Sequence, residues 1–193
     1  FLTIIILIFS AAIVINQSGH VITIFNGSFI VDPFSNFMKI LTLLACSFVL
    51  LLSKEYLKIN KIDKIEYPIL ILGSVLGMII MISAYDLIVF YIGLELQSLA
   101  LYVLAAFNRN NIKSSEAGLK YFVLSALSSG ILLYGCSLIY GYSGTTNFDL
   151  IAKNILLSEL GNVFGLVFIL VGLAFKISAV PFHMWAPDVY QGS

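Results

Sequence analysis

Leu87-Ile88-Val89-Phe90-Tyr91-Ile92-Gly93-Leu94-Glu95-Leu96-Gln97-Ser98-Leu99-Ala100-Leu101-Tyr102-Val103-Leu104-Ala105-Ala106-Phe107 is apolar on odd and even positions alike and carries one charge, Glu95, near its middle. A run of about 20 such residues matches a hydrocarbon core of about 30 Å. Inside a bilayer the backbone must satisfy its own hydrogen bonds, so the run spans as a helix; a barrel strand would show polar residues at alternate positions. Five further apolar segments accompany it: Leu2–Ile15, Phe37–Ser53, Pro68–Ala84, Glu116–Tyr140 and Gly161–Val180. Over the chain 60% of residues are hydrophobic and 10% charged, against roughly 25% charged in a domain that faces water on every side. The chain reads as an all-α integral membrane protein, a bundle of about six transmembrane helices. No internal repeat or low-complexity linker divides it, which predicts a single membrane domain over residues 1–193.

The connections add detail. Val21-Ile22-Thr23-Ile24-Phe25, Asn26-Gly27 and Phe29-Ile30-Val31 predict a small hairpin in the first loop, turning at the Asn-Gly pair. Phe148-Asp149-Leu150-Ile151 suggests a short surface helix before the last span. Lys54, Lys58, Lys61, Lys64, Arg109 and Lys113 fall on one side of a six-span topology, and the opposite loops carry mainly Lys153. The positive-inside rule turns the first set toward the cytoplasm or the mitochondrial matrix, and the hairpin toward the other side.

Net charge is zero, which gives no reason to expect nucleic acid or an electrostatic surface anchor. Cys46 and Cys136 lie inside apolar runs without metal-ligand spacing and read as packing residues. His20 and His183 stand far apart in the chain, a poor arrangement for holding a haem. The first run has no basic region before it and the chain opens on Phe1, so no cleavable signal peptide is read. Nine of the ten basic residues are Lys and only Arg109 is Arg, a bias that suits an AT-rich genome such as an organelle's.

The last apolar run is interrupted. Phe175-Lys176-Ile177-Ser178-Ala179-Val180-Pro181 places a Lys and then a Pro where a span should continue. Proline removes a backbone donor and clashes one turn back, so the helix is predicted to break near Lys176–Pro181. Broken helices at membrane depth occur where they are buried in protein or line a wet cavity, and they recur at ion sites.

Three ionisable residues lie within the spans: Glu95, Lys120 and Lys176. Each unpaired charge at the bilayer centre costs at least about 2.5–3.5 kcal/mol, and three together roughly 8–10 kcal/mol, comparable to the stability of a domain. Pairing offsets this cost: one carboxylate and two amines can form an ion pair and a Lys held neutral. Changing the distance between Glu95 and a Lys would then change when that Lys holds its proton. Plainer readings stand beside this one. Lys120 and Lys176, near span ends, can snorkel to the interface, and Asp86 and Asp188 sit where interface residues are expected. Ser125, Ser128, Ser129 and Gly130 either line a water path or permit close helix packing. His183, just past Pro181, is a candidate proton relay or simply a histidine in a turn.

At these residues the sequence resembles a known family. Met81-Ile82-Ser83-Ala84-Tyr85-Asp86-Leu87, Gly93-Leu94-Glu95-Leu96-Gln97-Ser98-Leu99, Glu116-Ala117-Gly118-Leu119-Lys120-Tyr121 and the long stretch from Phe175 through His183-Met184-Trp185-Ala186-Pro187-Asp188 to Gly192 are similar to the antiporter-like subunits of respiratory complex I. These include subunit 2 of mitochondrial NADH:ubiquinone oxidoreductase and its bacterial equivalent, subunit N; more distantly they include subunits of multisubunit cation/proton antiporters. The likeness runs from about Asp32 onward. It implies that Glu95 is the buried glutamate of the family's fifth helix, Lys120 a lysine of the sixth, and Lys176 the central lysine of the broken seventh. His183 is then the histidine just beyond the break, and all four are expected to take part in proton transfer. No metal or cofactor is expected in this chain; NADH, FMN, iron–sulfur clusters and ubiquinone belong elsewhere in such a complex.

The resemblance implies half of a proton-translocation channel, in which a Glu–Lys pair modulates a central lysine. The alternatives are a cation/proton antiporter subunit and a structural membrane-arm scaffold with a degenerate channel. The expected partners are the lipid bilayer and other membrane-arm subunits. By the same resemblance the chain begins at the family's second helix and stops after the first part of the broken one, which implies a second polypeptide completing the same fold. The expected location is the mitochondrial inner membrane, with the bacterial cytoplasmic membrane as the alternative.

Overall fold

A computed structural model describes residues 2–17, 20–60, 62–155 and 159–193. Phe1, which entered the signal-peptide reading, and Lys61, one of the basic residues used for orientation, lie outside the described residues. The elements in order are α1 (Leu2–Ile15), β1 (Ile22–Ile24), β2 (Phe29–Val31), α2 (Pro33–Ile59), α3 (Glu66–Ile82), α4 (Leu87–Ala105), α5 (Ile112–Ser143), α6 (Phe148–Asn154), α7 (Leu160–Lys176) and α8 (Trp185–Gly192). α2, α4 and α5 are long and apolar enough to cross a membrane, while α1, α3 and α7 are shorter apolar helices. The helices of 17 residues, α3 and α7, reach about 25 Å at 1.5 Å per residue, near the lower limit for a span.

α2 and α5 run past the limits that hydropathy marks at both ends, and caps set where they start. α2 begins at Pro33, four residues before the apolar run. Asp32 and Ser35 form a capping box there, and Pro33 occupies the first helical position. The backbone N–H of Ser35, and then its side chain, hold the Asp32 carboxyl below the usual carboxylate range. α5, of 32 residues, extends well past the predicted limits at its inner end, where Asn111 caps it by accepting from Lys113 N at 3.0 Å.

Among the described residues the packing has three apolar centres. Leu7, Ala11, Leu43, Leu50 and Val75 join α1, α2 and α3. Leu87, Leu94, Leu132, Cys136 and Ile139 join α4 to α5, with Leu166, Ile169 and Leu173 of α7 against them. Ala105, Trp185 and Val189 bring α8 to the end of α4. α3 and α4 meet backbone to backbone: a Cβ on Gly77 would lie 2.4 Å from Gln97 N and 2.7 Å from Gly93 O.

One end of the bundle is stapled by the hairpin. β1 and β2 pair antiparallel with Ile22 opposite Val31, Thr23 opposite Ile30 and Ile24 opposite Phe29. The turn runs through left-handed backbone at Phe25, Asn26 and Gly27, as the Asn-Gly pair predicts. Ile30 N donates to Ser83 O and Tyr85 N to Ser28 O, both at 2.9 Å, and Asn147 Nδ2 donates to Gly27 O at 3.1 Å. The hairpin, the α3–α4 turn and the start of α6 therefore share one end of the bundle, the end that the charge rule turns outward. Lys54 and Lys58 in the last turns of α2, Lys64 and Arg109 in the connections, and Lys113 in the first turn of α5 lie at the opposite end, which the charge rule turns inward.

Asp86, at the start of α4, is buried in this staple; it accepts from Ile88 N at 2.8 Å as the cap of α4 and from Thr146 Oγ1 at 2.5 Å. Replacing it with Ala is expected to lower stability by about 1–2 kcal/mol, read as an earlier unfolding midpoint in a denaturing-detergent titration.

The predicted break is present, and its construction is specific. α7 stops at Lys176. Ser178 N donates to Phe175 O at 3.1 Å and Ala179 N to Ala174 O at 2.8 Å, with Ser178 in the left-handed region. This is a Schellman stop with serine where glycine is usual. Trp185 Nε1 donates to the same Phe175 carbonyl at 3.1 Å, so the first residue of α8 helps cap the end of α7.

Candidate functional site

Lys176, the last residue of α7, carries its amine into the space between α4 and α5. Nζ lies 3.3 Å from Glu95 Oε1, 3.1 Å from Ser98 Oγ, 3.1 Å from Tyr102 OH and 3.0 Å from Ser125 Oγ. It also stands 5.7 Å from the centroid of the Tyr102 ring. The Lys176 and Glu95 side chains are 11% and 22% exposed. Helix geometry assembles the shell. Glu95, Ser98 and Tyr102 follow i, i+3, i+7 spacing and share one face of α4; Ser125 and Ser129, four residues apart, share one face of α5.

The shell is internally bonded. Ser129 Oγ donates to Glu95 Oε1 at 2.5 Å, and Tyr102 OH donates to Ser125 Oγ at 2.6 Å. Ser128 Oγ donates to Gly172 O at 3.2 Å, fixing α7 against α5 one turn before Lys176. Of the α5 residues that the sequence left between water path and packing, all three serines thus bond into the site or the helix beside it. Gly130 has nothing within 4 Å of where a Cβ would sit.

The arrangement suits a proton that comes and goes. An ammonium has three donors and no acceptor, and is satisfied by the carboxylate and hydroxyls together. If the carboxylate withdraws, the buried charge loses its compensation, while hydroxyls, which donate as well as accept, can still serve a neutral amine. Glu95 retains Ser129 as a partner in either case.

The other two candidates lie outside this shell. Lys120 was expected to share protons directly with Glu95 and Lys176; instead its amine is 2.8 Å from Glu116 Oε1 and 2.8 Å from Asp188 Oδ2, with its side chain 42% exposed. The cause is position. Lys120 lies toward the inner end of α5, where α8 supplies Asp188, a residue expected only at an interface. A cavity of about 200 Å³ opens beside this group. His183 is exposed in the turn before α8, where its carbonyl accepts from Ala186 N at 3.1 Å.

A larger inner cavity of about 570 Å³ is walled in part by Tyr121 and Trp185. Those two rings stack at 4.6 Å, and Tyr121 meets Tyr102 edge-on at 4.8 Å, so Tyr102 bridges the aromatic layer and the lysine.

Sequence reasoning missed Ser98 and Tyr102; their spacing from Glu95 on one helical face was the available signal. It also missed Lys39, which is 8% exposed on the packed face of α2. Asn36, Lys39 and Leu43 repeat at helical spacing and could have revealed it.

A helical membrane domain with a lysine at a helix break, paired to a glutamate on the neighbouring span, is the arrangement of an antiporter-like membrane subunit. The chain belongs to the NADH:quinone oxidoreductase/Mrp antiporter transmembrane family, whose profile matches residues 84–193. It is 68% identical over 178 residues to NADH-quinone oxidoreductase subunit N of Pelagibacter ubique, covering 92% of this chain and 38% of that protein. To the subunit of the same name from Paramagnetospirillum magneticum it is 53% identical over 198 residues, covering 98% and 41% respectively. The chain thus spans about two fifths of the length of these relatives. Among solved structures it matches a chain of respiratory complex I from Thermus thermophilus with bound aureothin, with TM-score 0.84 and 33% identity over 99% of this chain and 41% of that one. A chain of the Mrp complex from Dietzia, 23% identical with TM-score 0.81 over 98% of this chain and 38% of that one, shares the fold.

Proposed function

We propose that this chain supplies half of a proton-translocation channel in the membrane arm of a respiratory NADH:quinone oxidoreductase. The observation that carries the reading is the Lys176 amine at a helix break, held by Glu95 and three hydroxyls. Lys176 holds the exchanged proton, and Glu95 sets when it is released. Lys120, between Glu116 and Asp188, and His183 beyond the break are further stations for the same proton toward the inner side. The helices that complete the fold in the longer relatives, on this polypeptide or a second one, supply the rest of the path. Redox chemistry with NADH, FMN, iron–sulfur clusters and quinone belongs to other subunits. The bacterial relatives support a cytoplasmic membrane as the location, over the mitochondrial inner membrane that the lysine-rich composition suggested.

The shared family keeps a cation/proton antiporter subunit as the second reading, and the two are separable in membrane vesicles. In the respiratory reading, Glu95→Gln lowers NADH-driven acidification by about 10-fold or more, with assembly retained. Exchange driven by a sodium gradient without NADH, lost in the same variant, would establish the antiporter instead. Unchanged acidification in Glu95→Gln would leave only a scaffold.

A further inference from the structure

Lys39 has no part in the mechanism above. It lies in the second turn of α2, on the packed face that also carries Ser35, Asn36, Leu43 and Ser47, and it is 8% exposed. One turn deeper begins the apolar cluster of Leu7, Ala11, Leu43 and Val75. Among the described residues its amine makes no hydrogen bond and no ion pair. One turn toward the helix start, Asn36 Oδ1 is buried and also lacks a hydrogen-bond partner. Two polar groups without partners therefore share one face inside a membrane span. Burial without a hydrogen-bond partner is costly for such groups.

The charged and titratable surroundings are sparse. α1 carries no titratable residue, the hairpin strands carry none, and α3 has only Glu66 and Tyr67 at its opposite end. On α2 itself Cys46 packs against the apolar cluster, and Lys54, Glu55, Tyr56 and Lys58 lie in the last turns. The charge that acts on Lys39 is Asp32, at the helix cap. Helical side chains lean toward the helix N-terminus, which for Lys39 means toward Asn36 after one turn and Asp32 after two, about 10 Å along the axis. An amide oxygen inside the bundle and a carboxylate at its rim stand at successive depths along the reach of one flexible amine. A lysine that served only as an interfacial anchor would hold its head in water.

We propose that Lys39 is a second proton-exchanging lysine of this membrane domain, neutral against Asn36 inside the bundle and charged against Asp32 at its outer rim. The neutral amine takes one proton from water, and the ammonium returns a proton to water beside Asp32, which remains a carboxylate throughout. This rests on the translocation reading above but concerns a separate site.

The test uses the intact complex in proteoliposomes and reads protons moved per NADH oxidised. Arg keeps the charge but does not release its proton, so Lys39→Arg and Lys39→Gln are both expected to lower the ratio to the value that Lys176→Met gives. Lys39→His, which can titrate, is expected to retain at least half of the difference. A wild-type ratio in Lys39→Arg or in Lys39→Gln overturns the proposal, the first by making Lys39 a fixed charge and the second by making its charge dispensable. If Lys39→Arg does not assemble, the Gln and His variants decide: loss in Gln with retention in His supports exchange, and equal ratios in the two overturn it. A wild-type ratio in Lys176→Met as well would remove the translocation reading itself; a wild-type ratio confined to the Lys39 variants removes only this inference.

Discussion

Replacing Lys176 with Met is expected to stop the proton transfer proposed for this domain, with a fall of about 100-fold or more in its rate, and to leave assembly intact. Methionine fills the volume of the lysine stem, so the contacts of α7 with α5 are preserved. What disappears is the one amine that touches Glu95, Ser98, Tyr102 and Ser125 together. Removing one partner of a buried ion pair costs about 3–5 kcal/mol when the other stays charged. Here Glu95 is 22% exposed and keeps its bond from Ser129, so the smaller figure applies. The double variant Lys176→Met with Glu95→Gln should therefore recover stability without recovering transfer. Proteoliposome acidification gives the rate and a thermal-shift midpoint gives the stability. Normal pumping by the single variant would contradict the mechanism.

Changing Gly77 to Ala is expected to destabilise the domain by about 3 kcal/mol, reversing the usual gain from Gly to Ala inside a helix. The added methyl would meet Gln97 N at 2.4 Å and Gly93 O at 2.7 Å, and neither backbone atom can swing aside as a side-chain tip can. α3 and α4 must separate, and Gln97 lies two residues from Glu95, so the ion pair moves with the helix. Subunit abundance in membranes, read on a native gel, should fall several-fold. Gly130→Ala supplies the contrast. With nothing within 4 Å of its Cβ position, it should gain up to about 1 kcal/mol from helix propensity. Equal behaviour of the two variants would mean that close backbone approach does not limit this packing.

Much of the architecture was written in the chain. Apolar runs on both parities dictate helices in a bilayer, Asn26-Gly27 dictates the hairpin, and Lys176 followed by Pro181 dictates the break. Each depends on neighbours in sequence or on the solvent, so no long-range contact was needed to read them. The presence of Glu95 and Lys176 inside spans was equally legible, because a charge in hydrocarbon is conspicuous wherever it lies.

Which charges meet was decided only by the packed bundle. Glu95 and Lys176, 81 positions apart, come together because α4 and α7 both pack against the serine face of α5. Lys120 is taken instead by Asp188, since the break turns α8 back along the inner end of the same helix. The spacing of Asn36, Lys39 and Leu43 marks one face of α2 in the sequence, and the packed bundle shows that this face is buried. Hydropathy averages over a helix and is blind to which side a residue faces; an ion pair depends on direction and distance to within an ångström, which tertiary packing alone supplies.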